Sequence, residues 1–256
     1  MNDTPIIETR DLTIRFGGHI AVNELNLKIE TNKVKAIIGP NGAGKTTFFN
    51  LITGAYKASK GHVYLNGEDI TALDPADRCK KGIGRSFQLT NIFPTLTCLE
   101  NVRLAIQARE NIGMDFWNHF HKYPELEDEA YEILKQVLMD SKWANEANAL
   151  SHGEQRKLEI AMLLALGSDV LMLDEPTAGM SIEEVPAILD VIKEIKALGD
   201  KTIVLVEHKF DMIMAISDTI AVLQEGRLIA NDVPDKVRNN EQVMAAYLGG
   251  GVKNNE

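Results

Sequence analysis

The sequence predicts an α/β protein built on a mainly parallel sheet and interrupted by a helical insertion. Three observations predict it. Val34-Lys35-Ala36-Ile37-Ile38, Val170-Leu171-Met172-Leu173 and Thr202-Ile203-Val204-Leu205-Val206 are apolar bursts of strand length, as parallel strands covered on both faces require. Each is followed by a helix-compatible segment, the succession that puts ligand sites beyond the carboxyl ends of the strands. Residues 89 to about 160 instead hold few strand signals, helix-compatible stretches at 99–109 and 125–138, and both tryptophans.

The remaining segments follow from local pattern. Residues 6–29 alternate apolar and polar (Leu12, Ile14, Phe16, then Leu25, Leu27, Ile29), the period of half-buried strands. Val63 to Leu65 continues it, and Asn66-Gly67 suits a tight hairpin whose two central residues need positive φ. Ser217 to Ile229 reads as two strands around Gln224-Glu225-Gly226, Pro234 to Leu248 as one or two helices, and 249–256 as a loose tail. Phe116, Trp117, His119, Phe120, His121 and Tyr123 read as packing within the insertion, because two histidines without a third ligand do not make a metal site.

Composition narrows the function classes. The 256 residues carry 27 Lys+Arg against 37 Asp+Glu, a net charge of −10, which disfavours nucleic acid as a partner. The longest apolar run, Ile160 to Leu166, is far short of a membrane span. The amino terminus lacks the basic start and apolar stretch of a secretory signal, and Cys79 and Cys98 form no spaced framework; a reducing cytoplasm is expected.

Gly39-Pro40-Asn41-Gly42-Ala43-Gly44-Lys45-Thr46-Thr47 matches G-x-x-x-x-G-K-[ST] and sits between an apolar strand and a helix start near Lys45. Such a loop wraps backbone N–H groups around phosphate oxygens, Lys45 supplies a point charge and the Thr46 hydroxyl can ligate Mg²⁺. Asp174 and Glu175 end the strand at 170–173, where Asp174 would serve the metal of a bound nucleotide and Glu175 would act as general base on the attacking water. Ser151 and Glu154 form an S-x-x-E pattern, which reads either as a helix capping box or, with Gly153 and the free N–H groups of a helix start, as an anion site.

In this order the motifs resemble the nucleotide-binding domain of ATP-binding cassette (ABC) ATPases from about Ile6 to Leu248. Gly39 to Thr46 is similar to Walker A, Gln88 to the Q-loop glutamine, Leu150 to Glu154 to the LSGGQ signature, Leu171 to Glu175 to Walker B with its glutamate, and His208 to the switch histidine. The resemblance implies a P-loop NTPase (RecA-like) core with a mainly parallel sheet, an amino-terminal antiparallel β subdomain and a helical insertion. It divides residues 1–248 into a core (1–88 and 160–248) and a helical subdomain (89–159). It further implies that Phe16 stacks on adenine, Gln88 approaches Mg²⁺ and the water, and His208 contacts the terminal phosphate. By themselves, Phe16 reads as core and His208 as a satisfied polar residue. His152 and Glu154 replace the common Gly and Gln of the signature, and Ser181 stands where Asp is common.

The family pattern implies a head-to-tail pair, with itself or a related ATPase, sandwiching two ATP molecules. With no span of its own, the chain would drive transmembrane permease subunits, through Leu89 to Glu100, and act indirectly on a substrate-binding protein. It would lie on the cytoplasmic face of the membrane. Arg15 to Gly18, Gly84 to Gln88, Leu158 to Ala161, Glu175 to Met180 and Ala246 to Gly249 resemble the ATPases of branched-chain amino-acid importers. Lipopolysaccharide-export ATPases are the alternative with the same mechanism. A non-transport ATPase is disfavoured by the lack of a long coiled coil, a second cassette or a guanine-reading N-K-x-D segment.

Overall fold

The computed structural model describes residues 5–86, 92–112, 124–207 and 209–248. The chain starts with two long antiparallel strands, β1 (Pro5–Phe16) and β2 (His19–Glu30), followed by β3 (Val34–Ile38) and helix α1 (Lys45–Ile52). Next come β4 (Lys60–Leu65), β5 (Glu68–Asp69), α2 (Pro75–Lys80) and β6 (Ile83–Arg85). Three helices follow, α3 (Cys98–Arg109), α4 (Pro124–Gln136) and α5 (His152–Ala165). The rest is β7 (Val170–Asp174), α6 (Val185–Leu198), β8 (Thr202–Val206), α7 (Phe210–Ile216), β9 (Thr219–Gln224), β10 (Arg227–Asp232), α8 (Pro234–Arg238) and α9 (Glu241–Leu248).

Two sheets result. One is antiparallel, in the order β2-β1-β4-β5; the other runs β10-β9-β3-β8-β7-β6 and is parallel except for β10 at its edge. All five residues of β3, of β7 and of β8 are buried, which explains their unbroken apolar character. Alternate residues of these strands serve two cores. Ala36, Ile38, Leu171 and Leu205 face the side covered by α3 to α7, while Ile37, Met172 and Val204 face α1 and the antiparallel sheet. Asn66 and Gly67 both take positive φ between β4 and β5, as the hairpin reading expects.

Two of the three helices between β6 and β7 begin on reciprocal caps. Thr97 and Glu100 close a capping box on α3, and Ser151 and Glu154 close one on α5. Helices α3, α4 and α5 pack on one another through Val102, Ile106, Leu134 and Leu158, all buried. No predicted element occupied residues 75–85, where the structure has α2 and β6. Asp74 caps α2 and Pro75 fills its first turn, a signal present in the sequence, whereas a three-residue strand such as β6 leaves no periodicity to read.

One buried side chain fixes the end of α1, the helix that follows the glycine-rich loop at 39–44. Arg78, 2% exposed, donates to the carbonyls of Leu51 (2.7 Å) and Ile52 (2.6 Å) at the end of α1, and to those of Leu73 (3.1 Å) and Thr71 (2.9 Å). It reinforces carbonyls at a helix end, where the backbone supplies few or weak donors. Replacing Arg78 with Met removes four hydrogen bonds and leaves the buried Ile52 carbonyl without its Arg78 donor, a loss of about 3 kcal/mol. A thermal melt should then move down by about 6–12 °C, and an unchanged midpoint would contradict this role.

Candidate functional site

The carboxyl ends of β3, β7 and β8 lie side by side, because β8 pairs with both neighbours. The loop leaving β3, residues 39–44, is therefore beside Asp174 at the end of β7 and Glu207 just past β8. Its conformation demands glycine at two places. A Cβ on Gly39 would lie 2.1 Å from the Leu223 carbonyl oxygen, and one on Gly44 (φ 93°) would lie 2.4 Å from that of Ala21. Inside the loop the Ala43 N–H donates to the Pro40 carbonyl at 3.2 Å. Helix α1 then starts at Lys45 with its unpaired N–H groups and positive dipole end toward the loop.

An open cleft of about 440 Å³ faces this loop. Asn41, Gly42, Ala43, Gly44, Lys45, Thr46 and Thr47 line it on one side and Glu175 on another, with Phe16, His19 and Ala21 arriving from the β1–β2 hairpin. Phe16 is 47% exposed, its ring edge-on to Tyr56 with centroids 5.4 Å apart. Its free face suits a planar base. The Lys45 ammonium is buried and donates to the carbonyls of Gly39 (2.8 Å) and Pro40 (3.0 Å). Burial lowers its pKa, and the nearby charges of Glu175 and Asp174 oppose that shift.

Asp174 is 1% exposed, and both of its carboxylate oxygens are buried without a hydrogen-bond partner. Burial raises its pKa, Arg85 lowers it, and Glu175 raises it again. A buried carboxylate with two unsatisfied oxygens fits a divalent cation, and the exposed Thr46, which lines the cleft, offers a hydroxyl. Glu175 takes a left-handed conformation (φ 48°), a strained turn for a residue with a side chain, while its N–H extends the sheet pairing to the Val206 carbonyl at 2.9 Å. The next loop is held by Glu207, which accepts from the N–H and hydroxyl of Thr177 at 3.0 and 2.6 Å.

A profile of the family described as ABC transporter matches residues 22–178, more than half of the chain. The chain belongs to the ABC transporter family. A second profile, described as branched-chain amino acid ATP-binding cassette transporter, matches residues 227–253. The high-affinity branched-chain amino acid transport ATP-binding protein BraF of Pseudomonas aeruginosa is 38% identical, over 96% of this chain and 98% of its own length. The crystal structure of the ADP conformation of MJ1267, an ATP-binding cassette of an ABC transporter, superposes with a TM-score of 0.82 at 29% identity, covering 96% of this chain and 99% of that one. The dimeric post-hydrolysis structure of the ATP-binding cassette MJ0796 bound to ADP and Pi gives 0.72 at 27% identity, covering 89% and 98%. The fold is that of the P-loop NTPases, and the chain is an ABC ATPase subunit.

Within this ABC ATPase the residues expected at the site divide into three groups. Residues 41–47, Phe16 and Glu175 line one cleft; Gly39 and Pro40 are not among its lining residues but accept from Lys45, and Asp174 is buried at the neighbouring strand end. Ser151 and Gly153 are not among the residues lining that cleft; they start α5, where Ser151 is exposed and Gly153 buried. Gln88 and His208 lie outside the described residues, as do Leu89 and residues 116–123. Both readings of Ser151 concern the same geometry. Its hydroxyl accepts from the Glu154 N–H at 3.3 Å and its own N–H donates to Glu154 Oε2 at 2.9 Å, so the capping box forms at an exposed helix start. Sequence reasoning missed His19, Ser86, Arg85 and Arg156, of which the last two approach Asp174 from β6 and α5. Only the position of Arg85 three residues before Gln88 could have drawn attention to it.

Gly44→Ala should abolish the loop geometry without touching any charged group. Nucleotide affinity, measured by titration with a fluorescent ADP, is expected to fall by about tenfold or more. Wild-type affinity in that variant would contradict the close approach to Ala21.

Proposed function

We propose that this subunit hydrolyses ATP to drive uptake of branched-chain amino acids, closing head to tail with a second copy or a related ATPase around two ATP molecules. The observation that carries the reading is the split site. Residues 41–47 and Glu175 line one cleft with Asp174 buried beside it, while the helix start at Ser151 stands outside it. A second chain brings that helix start to the open side of the cleft. The branched-chain match at residues 227–253 and the name of BraF favour amino acids over lipopolysaccharide as cargo.

Each residue then has a physical task. Backbone N–H groups of Gly39, Pro40-flanked Asn41, Gly42, Ala43 and Gly44, together with those of Lys45, Thr46 and Thr47, hold the phosphate oxygens at the positive end of α1. Lys45 exchanges loop carbonyls for the outer phosphates, and Phe16 stacks on adenine. Asp174, the Thr46 hydroxyl and Gln88 hold Mg²⁺, which when bound neutralises phosphate charge. Glu175, turned into the cleft by its left-handed backbone, takes the proton of the attacking water, and His208 contacts the terminal phosphate. Ser151 and the Gly153 N–H grip the terminal phosphate of the ATP held by the partner subunit.

Glu154 modifies that grip. Burial pushes its carboxyl up, but the Ser151 N–H and Lys142 outweigh this and keep it ionised below its usual range. A carboxylate at the helix start opposes an incoming phosphate, so the clamp is weaker than a Gln at this position would allow. No helix of the described residues is long and apolar enough to cross a membrane. Force passes to separate permease subunits on the cytoplasmic face through Ile92, Phe93 and Leu96 ahead of α3, of which Phe93 is 51% exposed. A substrate-binding protein supplies the cargo, and no nucleic acid is involved.

Glu175→Gln keeps the shape of the site and removes the base. ATP hydrolysis should fall by about 100-fold or more while ATP affinity stays within about threefold. Cells relying on this variant are expected to lose uptake of labelled leucine. Hydrolysis at the wild-type rate would remove Glu175 from catalysis, and retained leucine uptake would remove the amino-acid cargo.

A further inference from the structure

An apolar groove of about 270 Å³ lies between α2, β6 and α5, with Cys79, Ile83, Leu163 and Leu166 in its walls. Two charged residues interrupt this lining, Arg85 and Glu159, and both lead to Asp174. Arg85 Nη2 stands 3.6 Å from Asp174 Oδ2, close enough to pair but too far to hydrogen-bond. Its Nη1 donates to Asn50 Oδ1 at 2.6 Å and to Thr53 Oγ1 at 3.2 Å, both on or just past the helix that begins at Lys45. The guanidinium also lies 5.2 Å over the Phe49 ring. Glu159 pairs with Arg156, whose Nη2 donates to the main-chain carbonyl of Asp174 at 3.0 Å. Charges in an apolar wall are costly to desolvate, so their retention points to what they hold rather than to packing.

We propose that Arg85 is a positioning residue that links this groove to the metal-side carboxylate, its guanidinium moving toward the groove when a divalent cation shares Asp174. This rests on the ATPase reading of the site. Two cations cannot share one buried carboxylate without repulsion. The guanidinium has somewhere to go, because Asn50 and Thr53 remain as acceptors and Thr53 itself lines the groove. Arg156 and Glu159 fix the Asp174 main chain, so the response is confined to side chains.

Cys79 reports the movement from inside the groove, and Cys98, fully buried with its thiol pushed up to about 11, is an internal control in the same chain. A guanidinium drawn toward the groove favours the Cys79 thiolate, the reactive form, which burial otherwise disfavours. Alkylation of each cysteine by N-ethylmaleimide would be followed by peptide mass spectrometry on the full chain, with saturating ADP in either Mg²⁺ or EDTA. Mg²⁺ should speed labelling of Cys79 by about threefold or more in the wild type and by less than about 1.5-fold in Arg85→Gln. Arg85→Lys, which keeps the charge, should retain at least about half of the response.

Fluorescent-ADP binding, measured alongside, separates two kinds of failure. Equal labelling rates in Mg²⁺ and EDTA with ADP bound would overturn the role of Arg85 alone, as would a wild-type response in Arg85→Gln. Absence of ADP binding would bring down the ATPase reading and this inference with it. Should Arg85→Gln fail to fold, equal labelling of Cys79 in Mg²⁺ and EDTA in the wild type would still overturn the role of Arg85.

Discussion

The phosphate loop is wedged between the backbones of two sheets. On one side the Leu223 carbonyl of β9 leaves no room for a side chain at Gly39; on the other the Ala21 carbonyl of β2 leaves none at Gly44. Hydrogen bonds close the same junction, from the Gly226 N–H to the Ala43 carbonyl at 3.0 Å and from the Asn23 N–H to the Gly226 carbonyl at 2.9 Å. The antiparallel sheet, the β9–β10 turn and the loop thus meet backbone to backbone. That contact places Lys45 and the start of α1, and it brings Phe16 and Ala21 to the rim of the cleft.

Against this rigid frame stands a carboxylate that the fold leaves unsatisfied. Asp174 is held from behind, through its main chain by Arg156 and its N–H by Ser86 Oγ at 3.3 Å, while its side-chain oxygens accept nothing. Leaving a buried carboxylate in that condition costs stability unless a ligand repays it. The surrounding positive groups, Arg85, Arg156 and Lys45, are each anchored elsewhere, so they temper the charge without quenching it. The strained backbone of Glu175 next to it adds a second local cost at the same strand end.

The parts of this arrangement that were legible in the sequence are those with short-range signatures. Fully buried parallel strands leave unbroken apolar runs, the Asn66-Gly67 turn needs two positive φ angles, and a phosphate loop is a fixed string of glycines before Lys45. Asp174 and Glu175 were legible because they end such a strand. What stayed hidden depends on contacts between distant residues. Arg85 acquires its meaning only from Asp174, 89 positions away, and Arg156 from a carbonyl that no side-chain pattern reveals. The Ser151 segment was readable in two ways because a helix cap and an anion site use the same N–H groups, and a single chain displays only the cap.

The central claim is that the triphosphate is completed by a second chain. Determining the structure of the Glu175→Gln form grown with ATP and Mg²⁺ tests it most directly. The account predicts a dimer in which each terminal phosphate lies between Lys45 of one protomer and Ser151 of the partner subunit. A triphosphate enclosed entirely by one chain, with Ser151 remote from phosphate in every assembly, would contradict it.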